Sequence, residues 1–128
     1  MFKSLMAGAA LAALTVVAAS AADAPQVVRK VLNQQDLANN QMIAEIDVMI
    51  PVGGREGRHT HPGALMVYVT DGAITLDYEG KPTATYKAGD AFFVEAGKIH
   101  EGINNGTVPS KAIATFSGPK GPLTVQLP

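Results

Sequence analysis

The sequence predicts an all-β fold, either a barrel or a sandwich of short strands. Short β-prone runs alternate with turns rich in glycine and proline, and no segment of the mature chain is convincing as a helix. The chain has 128 residues, which supports one domain. No internal repeat or low-complexity tract points to a different architecture.

The expected strands are bounded by turn signals. Residues 41–50 alternate well, with apolar side chains at even positions from 44 to 50 and acidic ones between them, as in a half-buried strand. Residues 33–40 are polar and are expected to form a loop, and Asp71-Gly72 is a hairpin signal. Strands are predicted at residues 27–32, 41–50, 65–70, 73–78, 83–86, 91–94, 99–103, 111–116 and 123–127.

The N-terminal segment predicts secretion. Residues 1–22 are expected to be a signal peptide and residues 23–128 the folded domain. An uncharged, alanine-rich run at 5–19 follows a positive residue, and small residues allow cleavage after Ala21 or Ala22. A membrane anchor is the alternative, but the run is shorter than the ~20 apolar residues that a bilayer requires. We therefore expect a periplasmic or secreted protein that does not remain in a membrane.

Composition narrows the classes of partner and chemistry. Ten basic and eleven acidic residues are present, and loss of Lys3 with the signal peptide leaves a net charge of −2. This charge gives no reason to expect nucleic acid or an anionic membrane as a partner. The absence of cysteine excludes disulfides, thiolate metal ligands and a cysteine nucleophile.

The three histidines carry the strongest functional signal. His59 and His61 are separated by one residue, so on a strand their side chains point the same way. His100, from another strand, can complete a set of three imidazoles around one divalent ion. Such a site leaves coordination positions free for water, substrate or dioxygen.

The residues around the histidines form two motifs. Gly53, His59, His61 and Gly72 have the spacing of the first cupin motif, G-x5-H-x-H-x3-E-x6-G. The segment 89–104 resembles the second motif, G-x5-P-x-G-x2-H-x3-N, with His100 and Asn104 in register. The sequence therefore resembles small single-domain bacterial cupins. The resemblance implies a double-stranded β-helix, also called a jelly-roll barrel, with metal ligands at His59, His61 and His100.

Two positions depart from the family pattern. Leu65 stands where the first motif has a glutamate, and Glu95 stands where the second has a proline. Leu65 removes the carboxylate that usually completes a three-histidine, one-carboxylate site. Three neutral imidazoles can still hold Fe, Zn, Mn, Cu or Ni, and the sequence does not choose among them. The alternative is a degenerate cupin whose histidines bind no metal.

Acidic residues near the motifs offer a replacement for the missing carboxylate. Glu56, Glu95 and Glu101 could each act as a ligand or a general base, although a solvated surface acid is the simpler interpretation of each. Glu95, Glu56 and Tyr68 are the candidate catalytic residues.

Apolar residues near the motifs are candidates for lining a pocket. Leu65, Met66 and Phe93 are expected there, and Arg55 and Arg58 could bind a carboxylate substrate at its mouth. Small cupins with exposed strand edges are expected to dimerise, because such edges need cover.

The sequence is compatible with three functions, because one fold hosts them all. The first is a periplasmic protein that binds a divalent metal and a small molecule. The second is an enzyme, a metal-dependent dioxygenase or another cupin isomerase or lyase. The third is a structural dimer with a vacant site.

Overall fold

The computed structural model describes residues 12–13 and 25–128, and these contain ten strands and no helix. The all-β prediction is confirmed. The expected signal peptide, residues 1–22, lies outside the described residues apart from residues 12 and 13. Within the described part of the chain, no helix is long and apolar enough to cross a membrane.

The strands form two antiparallel sheets of five strands each. The strands are β1 (Val28–Leu37), β2 (Gln41–Ile50), β3 (His59–Thr60), β4 (Ala64–Asp71), β5 (Ala73–Tyr78), β6 (Ala84–Lys87), β7 (Ala91–Val94), β8 (His100–Ile103), β9 (Ser110–Pro119) and β10 (Val125–Gln126). One sheet has the order β1-β2-β9-β4-β7 and the other the order β10-β3-β8-β5-β6.

The core lies between the sheets and follows the alternation of the sequence. Met42, Ala44, Ile46 and Ile50 of β2 are buried, as the period-two pattern predicts. β9 runs antiparallel to β2 along its whole length and buries every second residue in the same way. Because the inward side chains are almost all aliphatic or aromatic, burial of apolar surface is the main stabilising term.

The predicted loop at 33–40 is wrong in its first half. β1 continues to Leu37 and pairs with β2 until a turn in which Asn39 and Asn40 have φ values of 60° and 58°. β1 is an edge strand whose ten residues are all exposed, so polar side chains cost it little. A polar sequence is therefore compatible with a strand here.

Two motif residues have structural roles that position the site. Gly72, at the hairpin between β4 and β5, has a φ of 64°, and a Cβ there would lie 2.8 Å from the carbonyl oxygen of Pro109. Asn104 is 1% exposed, and its Nδ2 donates to the carbonyls of Ile50 and Val108, both at 2.9 Å. This side chain fixes the loop after β8 and so the strand that carries His100.

Candidate metal centre

The fold brings the three histidines together inside the barrel. His59 of β3 pairs directly with His100 of β8, and His61 follows two residues after His59 on the same side. Their exposed fractions are 1%, 5% and 7% respectively. The three ring centroids are separated by 4.3 to 4.9 Å. Period two within one strand and pairing across two strands thus produce the predicted cluster.

Backbone carbonyls orient each imidazole. Nδ1 of His59 donates to the carbonyl of Gly57 at 2.7 Å, Nδ1 of His61 to Leu123 at 2.8 Å, and Nδ1 of His100 to Lys98 at 2.9 Å. With the proton on Nδ1, each neutral ring presents its lone pair at Nε2. In metal-binding histidines, a hydrogen bond from the ring nitrogen that does not bind the metal fixes the tautomer in this way.

The Nε2 lone pairs converge. Nε2 of His61 and Nε2 of His100 are 3.2 Å apart, and the ligand atoms of the three residues all lie within 4.8 Å of one another. Two lone pairs that face each other at this distance repel unless a positive charge lies between them. The donor set therefore fits a cation bound by three imidazole nitrogens.

Protonation of the imidazoles does not supply the positive charge between them near neutral pH. Burial lowers the pKa of His61 to about 4, partly opposed by its bond to the Leu123 carbonyl. Burial also lowers the pKa of His100. Both rings are therefore neutral at pH 7, which is the form that binds metals.

A cavity of about 50 Å³ adjoins the histidines. This volume accommodates roughly three to five waters at about 10–15 Å³ each. Leu65 lines it, together with apolar side chains from both sheets. The other apolar lining residues are Ile46, Val48, Val67, Ile74, Leu76, Phe92, Val94, Ala112 and Ala114.

Met66 and Phe93 do not line the cavity, so their prediction as pocket residues is wrong. They form a cross-strand pair on the outer face of the sheet, and are 54% and 50% exposed. The cause is the period of the strand, because Leu65 points inward and its neighbour must point outward. Tyr68 lies on the same outer face at 50% exposure, away from the histidines.

The three acidic residues that were candidates for a ligand or general base lie in different surroundings. Glu95 is exposed and does not line the cavity. Glu101 is buried, but both of its oxygens accept from Arg55, at 2.8 and 2.9 Å. This bond to Arg55 lowers the pKa of the Glu101 carboxyl. Glu56 lines the cavity, and its Oε2 lies 3.7 Å from Nε2 of His59.

The arginines that the sequence placed at the mouth of the barrel have acidic partners. Arg55 pairs with Glu101, and Arg58 pairs with Glu79 at 2.9 Å. The arginine that lines the cavity is Arg29 of β1, which pairs with Glu56 at 2.6 Å. The alternation of the first predicted strand, residues 27–32, gave no signal for Arg29, because each face carries two apolar residues and one basic residue.

Two antiparallel sheets that enclose a buried three-histidine cluster define a β-barrel with a candidate metal centre. The cupin domain family model matches residues 46–116, which is more than half of the chain. The chain therefore belongs to the cupin family, and its barrel is the double-stranded β-helix of that family.

Individual relatives are more distant. Over 72 residues the chain is 40% identical to germin-like protein subfamily 2 member 1 of Arabidopsis thaliana, a match that covers 51% of this chain and 32% of the relative. The chain thus spans about a third of that relative's length.

Two solved structures illustrate the shared fold. An uncharacterised conserved protein of Klebsiella pneumoniae with a double-stranded β-helix domain superposes with a TM-score of 0.62 at 19% identity, covering 85% of this chain and 84% of that one. The DMSP lyase DddQ of Ruegeria pomeroyi also has a TM-score of 0.62, at 24% identity, covering 66% of this chain and 42% of the lyase.

Proposed function

We propose that this cupin binds one divalent metal ion through His59, His61 and His100 and holds a small organic molecule beside it. The observation that carries the proposal is the orientation of the rings. Every Nδ1 is fixed by a backbone carbonyl, Nε2 of His61 lies 3.2 Å from Nε2 of His100, and the ligand atoms of all three residues lie within 4.8 Å of one another. An arrangement that served packing alone would not need three converging lone pairs.

The three imidazole nitrogens restrict the range of metals that can bind but do not select a single one. Three neutral imidazoles suit iron, zinc, copper, nickel and manganese, with intrinsic affinity highest for copper and zinc. When bound, such an ion supplies Lewis acidity and free coordination positions for a ligand. The chain's own contribution is to fix the three nitrogens and to exclude bulk water with an apolar lining.

The cavity limits the size of the ligand. Its volume of about 50 Å³ suits a molecule of a few heavy atoms. The lining is apolar except for the histidines, Thr124 and the Arg29–Glu56 pair. A small molecule with one polar group facing the histidines and an apolar remainder matches this distribution.

An enzyme is the second candidate, because three protein ligands leave metal positions open towards a largely apolar cavity. A metal-dependent dioxygenase, or a cupin isomerase or lyase, acting on a small organic substrate would use these positions. A structural dimer without metal is the third candidate.

Localisation and assembly complete the proposal. The apolar run before residue 22 supports export to the periplasm or the medium. The exposed apolar pair Met66 and Phe93 and the uncovered edge of β1 support a homodimer.

Two measurements test the proposal. Elemental analysis of protein purified from its native compartment should find about one divalent metal per chain, and a metal-free result would favour the structural dimer. Oxygen uptake with a panel of thiols, diketones and phenols then separates a dioxygenase from a binding protein. The binding role predicts metal without uptake.

A further inference from the structure

We propose that Glu56 supplies a carboxylate ligand to the metal centre, in place of the motif glutamate whose position Leu65 occupies. The proposal rests on metal binding by the three histidines and extends it by naming a fourth ligand from a different part of the chain. Glu56 precedes β3 and stands three residues before His59, outside the position at which the family pattern has its acid.

The distance between the two side chains supports a shared ion. Oε2 of Glu56 lies 3.7 Å from Nε2 of His59, and the Glu56 side chain is only 15% exposed. Two ligand atoms that are each about 2.1 Å from one ion lie roughly 3.0–3.5 Å apart. The observed separation is thus a few tenths of an ångström longer than that expected for Glu56 and His59 as ligands of one ion.

No other described residue offers a carboxylate to the cavity. Among the residues that line it, within the part of the chain that the structure describes, Glu56 is the sole acid. Glu101 points to Arg55 and also accepts from the backbone N–H of Gly57 at 3.2 Å. Leu65, at the motif position, cannot coordinate.

Arg29 holds the carboxylate in place. Arg29 lies on β1, and its Nη2 donates to Oε2 of Glu56 at 2.6 Å in a charge-assisted bond. The pairing offsets the cost of keeping an ionised carboxylate in a largely apolar cavity. Arg29 is thus a positioning residue for Glu56.

Gly102 makes room for the same side chain. A Cβ at Gly102 would overlap Oε1 of Glu56 and lie 3.2 Å from its Cδ. Gly102 is not among the glycines with positive φ, so its backbone conformation does not require glycine. It lies two residues after His100, on the same side of β8. The missing side chain therefore shapes the seat of the carboxylate beside the third histidine.

A fourth ligand of this kind changes which metals bind best. Carboxylate oxygen favours harder ions such as Mn²⁺, whereas three imidazoles alone favour Zn²⁺ and Cu²⁺. Removal of the carboxylate should therefore weaken Mn²⁺ binding more than Zn²⁺ binding. A residue that contributed only negative charge would affect both ions equally.

Calorimetric titration of the metal-free protein with Mn²⁺ and with Zn²⁺ tests the assignment. We expect Glu56→Gln to raise the Kd for Mn²⁺ by about tenfold or more and the Kd for Zn²⁺ by a clearly smaller factor. Glu79→Gln is the matched control, because Glu79 is 58% exposed and pairs with Arg58 at the surface. It should leave both constants within about twofold of the parent values.

Gly102→Ala supplies an independent arm. We expect it to shift metal preference in the same direction as Glu56→Gln, and the double variant should lose little more than Glu56→Gln alone. If Gly102→Ala shifts metal preference by the same amount in the Glu56→Gln background, Gly102 does not act by positioning Glu56.

Two outcomes would overturn the assignment of Glu56. In the first, Glu56→Gln binds Mn²⁺ and Zn²⁺ as tightly as Glu79→Gln does. In the second, Glu56→Gln loses affinity for both ions by the same factor. His100→Ala in the same titration keeps the two proposals apart. If His100→Ala binds both ions as the parent does, the three-histidine site itself is wrong. If His100→Ala loses binding and Glu56→Gln does not, only the fourth ligand is wrong.

Discussion

Replacing Leu65 by glutamate would rebuild the family's carboxylate at its usual position. Leu65 is 5% exposed and lines the cavity beside the histidines. On the two strands that flank β4, it lies opposite Val94 of β7 and Phe116 of β9. Loss of a buried leucine and burial of an acid together should cost the metal-free protein about 2–4 kcal/mol. For a domain of about 100 residues this corresponds to a fall in Tm of roughly 10–20 °C.

A metal ion should reverse part of that loss. An anionic oxygen that faces the three Nε2 atoms gives the ion a partner, and metal that binds only the folded state stabilises it. The loss in Tm should therefore be largest with chelator, smaller with Zn²⁺ and smallest with Mn²⁺. Leu65→Gln is the matched control, because it buries a polar group of similar size without a carboxylate.

Thermal unfolding of the parent and both variants under these three conditions decides the matter. Equal losses for Leu65→Glu with chelator, zinc and manganese would refute the placement of this side chain in the metal centre. The same conclusion would follow if Leu65→Gln gained as much from metal as Leu65→Glu.

Three further predictions concern pH, assembly and processing. Because burial holds the pKa of His61 at about 4, below its ordinary value of 6.5, the unfolded chain binds more protons between these values. The metal-free protein should thus lose on the order of 2 kcal/mol as pH falls from 6.5 to 4, measured by urea unfolding, and a flat profile would contradict the burial of a neutral ring. Light scattering should find a dimer at micromolar concentration that Phe93→Lys weakens, whereas a monomeric parent would count against the exposed apolar pair as an interface. The intact mass of the exported protein should correspond to a chain that begins at Ala22 or Asp23, and retention of Met1 would reject the signal peptide.

Local pattern was enough to predict the interior of the barrel. The alternation in residues 41–50 places the buried face of β2 correctly, and the bounds of β2, β5 and β7 match the predicted strands. The same periodicity, applied to β4, would have excluded Met66 as a neighbour of Leu65 in the pocket. Both outcomes follow from one rule, that successive side chains of a strand face opposite sides.

The local alternation of apolar and polar residues did not predict contacts between distant segments of the chain. The polar half of β1 forms a strand because it pairs with β2, an interaction that residues 33–37 do not encode by themselves. Arg29 of β1 and Glu56, in the loop before β3, are 27 residues apart in the sequence. Sequence spacing predicted which histidines meet, but not which of three nearby acids accompanies them.

The measurement that tests the central claim most directly is metal binding by His100→Ala. Calorimetric titration of the metal-free parent should give about one divalent ion per chain, with a rise in Tm on saturation. His100→Ala should lose both effects, because it removes one of the three clustered imidazole ligands. Glu79→Gln is the control, since it removes a charge from the surface pair with Arg58 without touching a ligand, and it should still bind one ion. Parent-like affinity in His100→Ala would contradict the three-histidine metal centre.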